Sequence, residues 1–346
     1  MKVVILTTIY VAEGLYKIKE RCPGWVPIVA GDLKTPHDAN KQICKEIGGL
    51  YLDPQTQMKL GFTHAAAVPW NCYARKNIAY LFALKEGAEL FYTVDDDNVP
   101  LEDWAEHVRF GQQECTIISS ESGWYDSYRE AKTEDGCSIT PRGYPWWLIG
   151  KGQKYSTKKG VENIGVIAGF PLGSPDVDAM TRMVKNPTVV GYPAQDVVLD
   201  KGTMCPYDTQ NTIIVRELMP ANMLWSQSCI EPYSYGLMRF DDIIPGYIGQ
   251  VIAWKYGYRV RHGRPFTFQK RNPHNNLSDL RAEIEGMRFQ QQLIKTLLEV
   301  KLTGACPAED FRLAVYALLD AIVELPRCMR TYVDTWVSDL ASLGMC

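Results

Sequence analysis

Strand-length apolar runs recur along the first hundred residues, with amphipathic stretches of helix length between them, and this alternation leaves few folds open to the chain. Residues 2–8, KVVILTT, are β-branched or apolar at nearly every position, the pattern of a strand covered on both faces. WVPIVAGD, 25–32, reads as a second strand ending in Asp32. ANKQICKEIG, 39–48, has helical spacing and a glycine stop. GLYLD, 49–53, reads as a third strand. YARKNIAYLFALKEGA, 73–88, predicts a helix with Ile78, Leu81, Phe82 and Leu84 facing inward and Gly87 ending it. ELFYTVDDD then returns to strand. The order β, α, β, α, β predicts an α/β fold, doubly wound, with a largely parallel sheet.

Beyond residue 115 the pattern loosens. Glycine, proline and aromatic residues crowd stretches such as RGYPWWLIGKG, and strand-like pieces such as TIIVREL appear, which suggests loops and antiparallel strands up to 225. DDIIPGYIGQVIAWKYGY, 241–258, reads as a helix opening on two acids, and RVRHGRPFTFQ as a strand after it. From 279 the spacing is helical almost to the end. The expected division is a catalytic part over 1–285 and a helical extension over 286–346.

Composition narrows the function classes. With 346 residues, 46% of them hydrophobic, the chain can bury a large core. A net charge of −3 argues against a broad basic surface for nucleic acid. Ten cysteines lie scattered with no CxxC and no zinc spacing, which reads as reduced thiols of a cytoplasmic protein. The N-terminus lacks a small-residue cleavage site, and no run approaches membrane length, so a soluble protein is expected.

The feature that asks for an explanation is the run Asp95, Asp96, Asp97 at the end of a strand. In open α/β sheets ligands sit beyond the carboxyl ends of the strands. Thr7, Thr8 and Asp32 lie at two other such ends. Alternate residues of an extended segment share a face, so Asp95 and Asp97 offer a hard oxygen site for Mn2+ or Mg2+, and a cation there can hold a diphosphate. A solvated turn is the plainer reading of DDDN. Arg75 and Lys76 put two positive charges at a helix N-terminus, which an anion would justify and surface ion pairs would equally explain. Asp241 and Asp242 precede a helix after the loop EPYSYGLMRF; one caps the helix, or one serves as a general base toward an acceptor hydroxyl. His262 and His274 are structural residues or a third metal ligand. Tyr144, Trp146 and Trp147 either stack on a sugar or fill the core.

Three stretches carry a resemblance: VAGDLKTP (29–36), WNCYARKNIAYLFALKEGAELFYTVDDDN (70–98) and RFDDIIPGYIGQVIAWKYGYRVRHGRPFTFQKRNPHN (239–275). They resemble the plant STELLO-type glycosyltransferase-like family. The last two are also similar, more distantly, to the reversibly glycosylated polypeptides, which include UDP-arabinopyranose mutases. Both families have the GT-A glycosyltransferase fold, and the resemblance covers residues 1–285. It implies a nucleotide-sugar enzyme in which Thr8 and Asp32 contact the nucleoside with help from Lys34. Arg75 would approach the base or diphosphate. Asp95 and Asp97 would match the acids that bind ribose and Mn2+, and Asp241 or Asp242 the acceptor-side base. Where the mutase-like pattern has a metal-binding histidine this chain has Gln269, which leaves His274 as a substitute ligand. STELLO proteins carry a membrane anchor and a further domain, and neither is expected here.

The expected activity is therefore metal-dependent transfer of a sugar from a UDP-sugar to a hydroxyl of a glycan or glycoprotein. Phosphates would be held by Lys76 and by Arg259, Arg261, Arg264, Lys270 and Arg271. The alternatives are a UDP-sugar mutase and a non-catalytic scaffold.

Overall fold

The computed structural model describes residues 1–193, 195–226, 239–264 and 266–346. The first hundred residues run β1 (Lys2–Thr8), α1 (Gly14–Arg21), β2 (Trp25–Gly31), α2 (His37–Ile47), β3 (Leu50–Leu52), α3 (Pro54–Lys59), α4 (Thr63–Ala67), α5 (Lys76–Lys85), β4 (Leu90–Val94) and β5 (Asn98–Pro100). Local chemistry sets these limits. Gly48, left-handed at φ 70°, ends α2, and Asp53 caps α3 by accepting from the Thr56 amide, with Pro54 in the first turn.

The middle of the chain supplies β6 (Gly111–Ser120), β7 (Lys132–Thr133), β8 (Tyr155–Ala168), β9 (Pro171–Gly173), α6 (Ala179–Val184), β10 (Val189–Gly191), β11 (Val197–Leu199) and β12 (Asn211–Val215). Then come α7 (Ile243–Lys255), β13 (Arg259–His262), β14 (Thr267–Gln269), α8 (Asn276–Glu299), α9 (Pro307–Ala321) and α10 (Met329–Ser342).

Among the described residues the large sheet has nine strands in the order β13-β11-β6-β8-β12-β4-β1-β2-β3. The β4-β1-β2-β3 half is parallel, while β12 runs antiparallel to both β4 and β8. The sheet is thus mixed, mainly parallel where the βαβ pattern was legible. A second sheet, β5-β14-β9-β10-β7, stands beside it.

RVRHGRPFTFQ is not one strand. Its first part pairs in the large sheet as β13 and its last part in the small sheet as β14. The chain passes close to Asp196 between them: a Cβ on Gly263 would lie 2.0 Å from the Asp196 carboxylate. The predicted helix over 73–88 opens with a 3-10 turn at Tyr73–Arg75, and that over 241–258 is shorter, as α7.

The terminal helices are built into the body of the protein. Helix α8 runs unbroken across residues 285 and 286, and Leu293, Phe311, Tyr332 and Trp336 share one apolar core with Ile78, Leu81 and Tyr247. Polar contacts tie the same parts together. The Asp339 carboxylate accepts from the Thr63 and His64 amides at the start of α4, and the Trp336 indole donates to the Pro220 carbonyl. One cysteine expectation is corrected here: Cys306 and Cys346 form a disulfide. Helices α9 and α10 fold back on each other, which brings the start of one beside the end of the other, and no spacing rule exposes that. Cys22, Cys44 and Cys205 are buried thiols as expected, and Cys229 lies outside the described residues. No helix among the described residues is long and apolar enough to cross a membrane.

Candidate functional site

A cleft of about 500 Å³ opens at the carboxyl ends of β1, β2 and β4, a size suited to a small ligand. Thr7, Thr8, Asp32 and Asp95–Asp97 line one wall. Arg142, Asp176, Asp208, Arg239, Asp241 and Asp242 line the other, with Gln269, Arg271, Asn272 and His274 at the edge. The parallel strands deliver the first wall: β1 lies between β2 and β4, so Thr8, Asp32 and the acidic run emerge side by side.

Each acid of the run has found a different partner. Lys76, itself buried, donates to Asp95 at 2.6 Å and to the Thr209 carbonyl. The Thr8 hydroxyl donates to Asp96 at 2.5 Å. Asp97 accepts from the Gln269 amide at 3.2 Å, the Asn272 backbone at 3.3 Å and the Asn98 side chain at 2.9 Å. The last contacts follow from register, since Asn98 on β5 faces Gln269 on β14. The run thus bridges the two sheets, from the end of β4 to the start of β5.

Neutral donors leave the charge poorly compensated. Burial pushes the Asp97 carboxyl up to about 6, with the neighbouring Asp95 adding to the effect, and burial likewise raises Asp96. An oxygen-rich, charge-crowded site of this kind suits a hard divalent cation. No group of three His, Cys, Asp or Glu among the described residues is arranged to hold a metal. His274 reaches the cleft but pairs with Asp279 at 3.1 Å.

A carboxyl that titrates higher in the folded than in the unfolded chain binds its proton more tightly when folded. The cation-free protein therefore gains stability at this group as pH falls from about 6 to about 4. Asp97→Asn should raise stability at neutral pH by about 1–3 kcal/mol, and the gain should shrink through that window. Thermal melts in EDTA across the range check it; identical curves for the two proteins would refute it.

Asp32 is buried, and its two carboxylate oxygens accept from the backbone amides of Leu33, Asn71 and Cys72. Asn71 is left-handed at φ 57°, a conformation that asparagine tolerates better than most residues. Asp32 thus shapes the cleft by holding the entry to the 3-10 turn before α5, while staying at its lining. Arg75 points elsewhere. It is fully buried, donates to Gln57 and to the Ala65 and Val68 carbonyls, and stacks on Trp70. Lys34 is exposed and outside the cleft lining. Of the later basic residues Arg271 reaches the cleft, whereas Arg259 pairs with Glu162 and Arg264 with Asp196.

The second wall centres on Arg142, whose side chain is 6% exposed. Its Nε donates to both oxygens of Asp176 at 3.0 Å. Its two terminal nitrogens donate to the two oxygens of Asp242 at 2.8 and 2.7 Å, a bidentate pair. Asp208 stands 3.6 Å from one of them, and the Arg239 carbonyl accepts from the other. Gly143 permits the arrangement. It is left-handed at φ 81°, and a Cβ there would lie 2.6 Å from Ile243. Its carbonyl accepts from Tyr247 and Gln290, which anchors the arginine's backbone to α7 and α8.

Asp242 is thus held by an arginine, and Asp241 is buried with its carboxylate facing the Tyr73 hydroxyl. The loop 231–238 before them lies outside the described residues. Of the aromatic run, Tyr144 is core and Trp146 is exposed with its indole donating to the Met287 carbonyl; none of the three lines the cleft. His262 is buried at the end of β13.

Arg142, Asp176, Asp208 and Arg239 carry no local signal. Arg142, Asp176 and Asp208 sit in loops far apart in the chain, Arg239 just before the Asp241–Asp242 pair, and only the tertiary fold gathers them.

A family model described as reversibly glycosylated polypeptide matches residues 55–318. Among curated proteins the chain is similar to the probable glycosyltransferase STELLO1 of Arabidopsis thaliana, 26% identical over 271 residues, 74% of this chain and 33% of that protein. It is similar also to the probable UDP-arabinopyranose mutase 1 of Pisum sativum, 27% identical over 291 residues, 79% of this chain and 73% of that one. The chain therefore spans about a third of STELLO1. Among solved structures, glucosyl-3-phosphoglycerate synthase of Mycobacterium tuberculosis in complex with Mn2+, UDP-glucose and phosphoglyceric acid aligns with a TM-score of 0.34 at 9% identity, over 86% of this chain and 78% of that one.

Proposed function

The chain belongs to the reversibly glycosylated polypeptide family, and from that premise we propose that its cleft binds a UDP-sugar and interconverts ring forms of the bound sugar. The observation that carries this reading is the grip of Arg142 on Asp242. An inverting transferase needs a base free to take the acceptor's proton, and both oxygens of Asp242 are engaged by a buried guanidinium. Ring-form interconversion needs no acceptor. The length of the match to the pea mutase, 73% of that protein, supports the same reading.

In this reading Thr7, Thr8 and Asp32 form the nucleoside end. Asp95 and Asp97 hold a divalent cation, Mn2+ or Mg2+, that neutralises the diphosphate. Lys76 keeps Asp95 in place and contributes a positive charge of its own. Arg271 approaches the phosphates from the edge. The sugar then faces Arg142 and its carboxylates.

The second reading is transfer of the sugar to a hydroxyl acceptor, supported by the similarity to STELLO1 and by Asp241, whose position beside α7 leaves it as the alternative base. One experiment separates the two. The protein is melted with UDP and UDP-sugars, with Mn2+ or Mg2+ and with EDTA, and the best ligand is incubated without acceptor. Ligand at about 100 times its Kd should stabilise by about 2.7 kcal/mol. Conversion of a UDP-pentopyranose to the furanose form without acceptor supports the first reading. Turnover only when a glycan is added supports the second, and no stabilisation by any UDP-sugar removes both.

A further inference from the structure

Of the three acids that Arg142 ion-pairs, Asp176, Asp208 and Asp242, Asp208 is the one it does not hydrogen-bond. The arginine's donors go to Asp176, Asp242 and the Arg239 carbonyl, and its distance to Asp208 is 3.6 Å. Asp208 instead accepts from the Gln210 amide, and it shares the one guanidinium with Asp176, which Arg142 hydrogen-bonds through Nε. Asp176, Asp208 and Asp242 thus crowd three carboxyl groups around a single guanidinium. The Asp208 and Asp176 side chains are largely buried, 13% and 16% exposed, and both line the cleft. On the opposite side a second cavity of about 30 Å³, room for about one water, is lined by the same pair with Tyr128 and His262.

We propose that Asp208 is the acid–base residue of the ring interconversion, with Asp176 as the residue that positions and tunes it. The inference rests on the UDP-sugar reading above. Turning a pyranose into a furanose exchanges one oxygen for another at the anomeric carbon. The bond from C1 to the ring oxygen O5 breaks, and its electron pair stays on O5, which takes the Asp208 proton. The hydroxyl oxygen O4 then bonds to C1 and gives its proton to the Asp208 carboxylate. One bond breaks and one forms, the proton count is unchanged, and no oxidant or reductant enters.

Electrostatics supports the assignment. The charged groups facing Asp208 are Arg142, Asp176 and Asp242, with the Tyr128 hydroxyl and the neutral His262 ring across the small cavity. Burial, followed by the negative charges of Asp176 and Asp242, drives the Asp208 carboxyl far above the ordinary range. Asp176 goes the other way: burial opposes ionisation there, but Arg142 and Arg239 together with the neighbouring Asp208 carboxyl outweigh it. A pair of carboxyls pushed apart in this manner supplies one proton donor and one permanent anion.

The test uses the full chain with a UDP-pentopyranose and Mn2+, following ring forms by NMR and UDP binding by thermal shift. Asp208→Asn should slow interconversion by about 100-fold or more, the scale of a lost general acid, while UDP still raises the melting temperature as in wild type. Asp208→Glu should restore part of the rate. Asp176→Asn should move the high-pH fall in rate to lower pH, because the neighbouring charge that holds the Asp208 proton is gone. An unchanged rate in Asp208→Asn, or rate and UDP binding lost together in both Asp208 variants, overturns the assignment alone. A wild-type protein that binds the UDP-sugar without interconverting it overturns the reading on which it rests.

Discussion

Arg142→Met is expected to lower the stability of the protein by about 3–5 kcal/mol, the cost of leaving buried charges without their partner. The side chain is nearly as long as the arginine stem, so little packing is lost and the effect is electrostatic. Asp176 and Asp242 would lose the guanidinium that each hydrogen-bonds, and Asp208 the nearest positive charge. Arg239 remains, but it already serves Glu283 at 2.7 Å and stands 3.9 Å from Asp176. The pH dependence has a defined sign. In the wild type Asp176 titrates below its unfolded value, so its contribution is present above about pH 4 and is lost as the solution is acidified further. In the variant the stranded carboxyls titrate above that value, so stability should rise as pH falls from about 7 to about 5. Urea melts at several pH values give the answer. Adding Asp242→Asn to Arg142→Met should recover part of the loss, because one of the stranded charges is removed. Equal stability of Arg142→Met and wild type at neutral pH would show that the cluster holds fewer charges than its geometry implies.

A chain ending at Val300 is expected not to fold. The lost helices carry Phe311, Leu318, Tyr332 and Trp336, each 1% exposed or less. At roughly 1.5–3 kcal/mol for each buried large side chain, these four alone account for about 6–12 kcal/mol, comparable with the whole stability of an ordinary domain. The cut also removes the Tyr332 hydroxyl that accepts from Asn77 on the helix whose first residue is Lys76. It strips the Asp339 carboxylate from the start of α4 as well. Circular dichroism and size-exclusion chromatography of the truncated chain would decide. A soluble, cooperatively melting product would mean that residues 1–300 close their own core.

The parts legible in the sequence are those with a local period. The β, α, β, α, β order over the first hundred residues needed only alternation and glycine stops, and the acidic run at a strand end drew notice by itself. Three sorts of information had no local trace. The split of RVRHGRPFTFQ between two sheets depends on a turn against Asp196, a residue far away in the chain. The direction taken by Arg75 depends on carbonyls of Ala65 and Val68, so a residue three places past the Asn71–Cys72 elbow turns away from the cleft while Lys76, itself buried, turns to Asp95. The gathering of Arg142, Asp176 and Asp208 depends on where the loops before β8, after β9 and before β12 are brought by pairing in both sheets. Single charges in aperiodic segments look like ordinary surface residues until those strands are joined.

The division of the cleft between two stretches of chain has an evolutionary corollary. One wall is encoded by codons 7–97 and the other by codons 142–242, with codons 269–274 supplying the edge. Drift in the later segment can therefore reshape the Arg142 wall while the acidic wall is inherited unaltered. Family members that share the early strands yet differ in chemistry are what such an arrangement would produce.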